Sequence, residues 1–296
     1  MGGGDCMNNK KKRMLIIIAI ILASICGTFL FVKFIKHEKW QSATINNLIL
    51  QNQNLIEQIN TLNDNLKVTN NTIDELKQQI VQSDVQYIDN GFNYLAIGNS
   101  ITKHGKNDYW WNEIGMAATE KEKDYFHLVS SHLKSNNDNF YSVAINYSVW
   151  ETNANDRSQT FNMIDPYLSS KLDLVSIQLS ENAGDLSTFY SDYTELINYV
   201  KEKCPSAQII LIDDFWSKEK SDLKKDIALN NNILFVDLSE IRGVKEYQCG
   251  MNTIVYGDDG KEYKVEHEGV AAHPGDKGME YIANAIINVI ELNKTR

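Results

Sequence analysis

The sequence predicts an α/β domain built on a parallel sheet, standing outside a membrane on a helical stalk. Three observations predict it: an uncharged apolar run near the N-terminus, a heptad pattern behind that run, and a C-terminal succession of short β-rich runs alternating with stretches of helical pattern.

The apolar run covers residues 14–32, which carry no charge and are mostly Ile, Leu, Ala and Phe. Nineteen helical residues span about 28 Å, close to the thickness of a hydrocarbon core. Lys33, Lys36, His37 and Trp40 mark the far interface. A cleaved signal peptide has a shorter apolar region and an A-x-A-like exit, which is missing here. A lipoprotein signal at Cys26 is disfavoured by the bulky Ile25 before it. The expectation is therefore a retained single span over residues 14–36. Lys10, Lys11, Lys12 and Arg13 precede it, so residues 1–13 are expected to be a cytoplasmic tail and everything after about residue 36 to lie outside the cell membrane.

Residues 37–84 are the expected stalk. From 43 to 84 there is neither Gly nor Pro, and a seam starting at Ile45 and Leu48 continues through Asn52, Leu55, Ile59, Leu62, Leu66, Thr69, Ile73, Leu76, Ile80 and Ser83. Nine of these twelve positions are apolar and the period is 3.5, so the pattern predicts a coiled coil roughly 60 Å long rather than a lone amphipathic helix. Asn52 at a core position favours a parallel homodimer in one register.

From residue 85 to 296 the pattern is that of the α/β domain. The runs 94–97, 141–145, 172–179, 207–212 and 233–236 are of buried-strand length, and most are followed by a stretch that can form a helix, which implies helices on both faces of a parallel sheet. A last helix is expected over 276–292, packing Met279, Ile282, Ala283, Ala285, Ile286, Val289 and Ile290. In open sheets of this kind ligands bind beyond the carboxyl ends of the strands. Ser100, Asn146, Asn182 and Asp213 all stand at such ends.

The net charge of −10 argues against a nucleic-acid partner. Of the four cysteines, Cys6 and Cys26 belong to the tail and the span; Cys204 and Cys249 are outside, and their spacing does not decide whether they pair. There is no C-x-x-C pair, and Glu266-His267-Glu268 lacks the helical spacing of a metal site, so neither a metal nor a cofactor is expected.

Ser100 follows Gly98-Asn99 at a strand-to-loop turn, which exposes a hydroxyl, and a helix N-terminus behind it would offer N–H groups to a developing oxyanion. Gly-Asn-Ser alone is equally the pattern of an N-capping serine. His273, held extended by Pro274 and flanked by small residues, enters the last helix where the chain returns to the first strand. Tyr109-Trp110-Trp111-Asn112 and Trp150 are as readily core as an aromatic platform for sugars.

Together these pieces resemble the SGNH hydrolases, the GDSL-like esterases, over about residues 88–292. Gly98-Asn99-Ser100-Ile101-Thr102 is similar to the first block, Ser180-Glu181-Asn182-Ala183 to the third, and His273-Pro274-Gly275-Asp276-Lys277-Gly278-Met279 to the fifth. The resemblance implies a flavodoxin-like three-layer sandwich with a five-stranded parallel sheet, Ser100 as nucleophile, His273 as general base, and Asn182 with the Ser100 N–H as oxyanion donors. Two departures stand out. The family's aspartate falls at Val270, so either a backbone carbonyl orients His273 or Glu266 or Glu268 folds in as the acid. The second block's glycine is absent from Asn146-Tyr147-Ser148-Val149, so a backbone N–H near Ser148 is expected to take its place. The implied function is a membrane-anchored esterase removing acyl groups, acetyl foremost, from cell-envelope or extracellular polysaccharide. An O-acyltransferase of the same fold, or a carbohydrate-binding or scaffold module without turnover, are the alternatives.

Overall fold

The computed structural model describes the backbone of residues 5–294 and the side chains of residues 14, 19–70 and 85–293. Cys6, the cluster Lys10 to Arg13 and the seam positions Ile73, Leu76, Ile80 and Ser83 lie outside the described side chains. The chain divides into two units, Met1–Ile73 and Asp74–Arg296.

The first unit is the greater part of α1, Asp5–Asp84, a helix with no Pro and a single Gly, Gly27. Its segment Ala19–Asn70 holds a stretch long and apolar enough to cross a membrane. Beyond that stretch the seam residues Ile45, Leu48, Leu55, Ile59, Leu62 and Leu66 are each more than half exposed.

The second unit is a five-stranded parallel sheet: β1 Phe92–Gly98, β2 Phe140–Asn146, β3 Leu174–Gln178, β4 Gln208–Ile212 and β5 Leu234–Val236, in the order β2-β1-β3-β4-β5. This is the flavodoxin-like order, whose switch point lies between β1 and β3. Period-2 alternation with both faces covered explains why the central strands are buried and largely apolar. Tyr94 and Ala96 face one side, with Val129 and Leu133 of α2 (Tyr125–Ser135) and Ile282, Ile286 and Ile290 of α7 (Asp276–Lys294). Leu95 and Ile97 face the other, with Leu196, Ile197 and Val200 of α4 (Phe189–Lys203) and Ile227 of α5 (Lys218–Asn230). Each such aliphatic side chain contributes on the order of 1.5–3 kcal/mol by leaving water.

Three features depart from the sequence reading. A short helix α3, Ser148–Thr152, follows β2, and another, α6, Glu268–Ala272, precedes His273. An antiparallel hairpin, β6 Ile254–Tyr256 with β7 Glu262–Lys264, stands apart from the main sheet. No helix backs Ser100: a turn there opens into a long loop, and the next α-helix begins only at Tyr125. Cys204, buried, and Cys249, half-buried, are both free thiols.

Candidate active site

The register of the sheet assembles the site. Gly98 pairs with Asn146 on one side and Gln178 on the other, so the carboxyl ends of β1, β2 and β3 finish level and their following residues share one cleft. Gly98 is required by close approach: a Cβ there would lie 1.8 Å from Thr102 Oγ1. The turn beyond it is fixed from within. Asn99 O accepts the N–H groups of Thr102 and Lys103, Asn99 Oδ1 accepts that of Ile101, and Ser100 O accepts that of Met116.

Ser100 Oγ lies 2.8 Å from His273 Nε2, and His273 Nδ1 lies 2.6 Å from Gly269 O. A carbonyl only accepts, so Nδ1 carries the proton and Nε2 presents its lone pair to the serine hydroxyl. The geometry is that of a nucleophile and base oriented by a third group, with a backbone carbonyl as the third group. Neither Glu266 nor Glu268 fills that role: both are exposed, and Nδ1 is already taken by Gly269 O. Val270, where the resemblance would place an aspartate, is buried and packs into the core. Burial, and then the neighbouring His104 and His267, lower the His273 pKa to about 4, against the partial opposition of the Gly269 bond.

His273 is held by docking of its segment. Its carbonyl accepts from Cys249 N–H, Gly275 N–H donates to Tyr247 O, and Trp216 packs edge-on against the imidazole at 5.1 Å while donating from Nε1 to Ala272 O. A Cβ on Gly278 would sit 2.3 Å from Tyr247 O, which explains the glycine. Asp276 accepts from the Thr119 N–H and hydroxyl, tying the start of α7 to the loop after Ser100.

On the oxyanion side, the Ser100 N–H meets no acceptor among the described residues. Asn182 is exposed at the cleft; its Nδ2 donates one hydrogen to Glu151 Oε2 at 2.6 Å, which leaves the second. Ser148 lines the cleft, but its N–H already donates to Asn146 Oδ1 at 3.0 Å, so it reaches an oxyanion only by sharing that hydrogen. Sequence reasoning singled out Ser100, Asn182 and His273, and the fold brings these three to one cleft. Glu151 was missed. It is fully buried on α3, and its Oε1 accepts from Asn99 Nδ2 at 3.0 Å, Ser180 N–H at 2.5 Å and Asn182 N–H at 3.4 Å. Glu181 accepts the other Asn99 amide hydrogen at 2.7 Å. Burial first, and the Asp214 carboxylate second, push its pKa up to about 8.

Of the aromatic candidates, Trp110 and Trp150 are core, and Trp111 is half-buried against Tyr263. Tyr109 lines the cleft, stacked on His267 with ring centres 4.2 Å apart.

The fold is similar to those of solved lipases and esterases. A phospholipase A1 from Streptomyces albidoflavus matches at 14% identity and a TM-score of 0.44, over 67% of this chain and 99% of that one. A two-domain esterase active on acetylated mannans, co-crystallised with mannopentaose, matches at 18% and 0.46, over 69% of this chain and half of that one. An acetylxylan esterase from Geobacillus stearothermophilus matches at 19% and 0.42, over 69% and 96%. No protein-family model matches the chain, and no curated protein does.

Proposed function

We propose that this chain is a membrane-anchored serine esterase that removes acyl groups, acetyl foremost, from cell-envelope or extracellular polysaccharide. The observation that carries the reading is the 2.8 Å contact between Ser100 Oγ and His273 Nε2, with Nδ1 committed to Gly269 O. Ser100 Oγ attacks the ester carbonyl carbon while His273 Nε2 takes its proton. The carbonyl electrons move onto oxygen, and the resulting oxyanion accepts hydrogen bonds from the Ser100 N–H and the free Asn182 amide hydrogen. Collapse breaks the bond to the sugar oxygen, which takes the proton back from Nε2; water then repeats the sequence on the acyl-enzyme.

The polymer substrate is suggested by the tether and by the part-exposed Tyr109 ring in the lining of the cleft. The apolar run with its basic flank favours a cytoplasmic N-terminus and an outward-facing domain, and the heptad seam of α1 favours pairing with a second copy.

The test uses the full chain in detergent micelles with p-nitrophenyl acetate and acetylated oligosaccharides, beside Ser100→Ala. Wild type is expected to turn over and the variant to fall to background. Equal rates would remove the catalytic assignment.

A further inference from the structure

We propose that Glu151 is a positioning residue of this site: its buried carboxylate aims the Asn182 amide at the oxyanion and, with Glu181, makes Asn99 the side chain the nucleophile turn needs. The inference rests on the esterase reading above and locates the site's acidic support on the oxyanion side rather than behind the histidine.

The contacts carry it. Glu151 is fully buried, and no cation pairs with it among the described residues. An unpaired buried carboxylate costs stability, so its partners indicate what it is kept for. All of them belong to the site's two motif segments: Asn99 beside the nucleophile, and Ser180 and Asn182 in the segment that ends β3. Every partner donates, which matches a group that only accepts. The 2.6 Å bond from Asn182 Nδ2 to Oε2 fixes which end of the amide faces Glu151, and hence keeps nitrogen rather than oxygen on the oxyanion side.

Asn99 is explained by the same pair. Its Nδ2 has two hydrogens, one on Glu151 Oε1 and one on Glu181 Oε2. An aspartate, usual at this place in the resembling family, would set an acceptor oxygen 3.0 Å from Glu151 Oε1, which already accepts from the Ser180 and Asn182 N–H groups. The amide and the two glutamates are therefore one arrangement.

The direction of the Asn182 bond gives the test. In Glu151→Gln the side-chain oxygen keeps the three donors at Oε1, and its NH₂ group meets the Asn182 NH₂, so Asn182 turns over and presents oxygen to the oxyanion. In Asn182→Asp two carboxylates meet. In the double variant the introduced glutamine amide donates to the introduced aspartate, and pairing is restored in reverse. Using the full chain in micelles, we expect each single variant to lower Tm and the double to recover most of the loss. We expect kcat on p-nitrophenyl acetate to drop about 100-fold or more in all three, with KM within about threefold, as for loss of an oxyanion donor. A purely structural carboxylate would lower Tm in Glu151→Gln while leaving its kcat near that of wild type. A double variant less stable than both singles, or Glu151→Gln with kcat within about threefold of wild type, overturns the proposal. Should wild type itself not turn over, the esterase reading fails, and the Tm cycle still decides whether Glu151 holds Asn182. If Glu151→Gln alone does not fold, recovery of folding in the double gives the same answer.

Discussion

A backbone carbonyl stands where an aspartate would orient the imidazole, and this changes what His273 does with pH. Gly269 O fixes the tautomer but supplies no negative charge to an imidazolium, and burial lowers the pKa to about 4. On the proposed reading His273 is the base and is neutral above that value, so kcat/KM should rise with pH along a limb centred near 4 and be level by pH 6. A limb near 6.5 would mean an ordinary, solvated histidine. Glu181 acts on stability in the opposite sense. Its pKa is raised from 4.5 to about 8, so the folded protein holds a proton that the unfolded chain has released, and stability declines as pH rises between those values. His273 raises stability with pH only up to about 6.5, so the Glu181 slope is free of that opposing contribution between pH 6.5 and 8. Tm should fall across that window in wild type and fall less in Glu181→Gln; parallel slopes would contradict the assignment. Ser100, Asn182 and His273 were legible in the sequence because each lies in a short local pattern. Glu151 was not, because its role appears only when α3, the nucleophile turn and the end of β3 converge, and a glutamate in Val-Trp-Glu-Thr carries no mark of burial.

The elements themselves were legible where period and length agreed. Five apolar runs became five strands, and the helix expected over 276–292 forms as α7, because both faces of a parallel sheet must be covered. The hairpin of β6 and β7 was not read, since three-residue strands leave almost no periodic signal. Asp259-Gly260, with Gly260 at φ +74°, was the cue available. The helix imagined behind Ser100 failed because the turn is held instead by Asn99 and by the Met116 N–H from the following loop. The glycines divide by the space around them. Gly98→Ala forces Thr102 away, and we expect a loss of about 1–3 kcal/mol with activity lost as the turn shifts. At Gly105 a Cβ meets nothing within 4 Å, so Gly105→Ala should stay within about 0.5 kcal/mol of wild type. Chemical denaturation of the two variants side by side checks the contrast, and equal losses would contradict it.

At the scale of the whole molecule, an anchor, a spacer and a catalytic domain follow one another along the chain on the proposed reading. The heptad seam of α1, with Leu55 and Leu62 on it, is the face proposed to pair with a second copy. The full chain in micelles should sediment as a dimer, and Leu55→Asp combined with Leu62→Asp as a monomer. A monomeric wild type would remove the coiled coil. The central claim is covalent catalysis by Ser100, and intact-protein mass spectrometry tests it most directly. Full chain quenched during turnover of p-nitrophenyl acetate should carry one acetyl group, mapped by peptide digestion to Ser100 and missing from Ser100→Ala. Ester hydrolysis with no adduct on Ser100, or an adduct formed equally in the alanine variant, would contradict it.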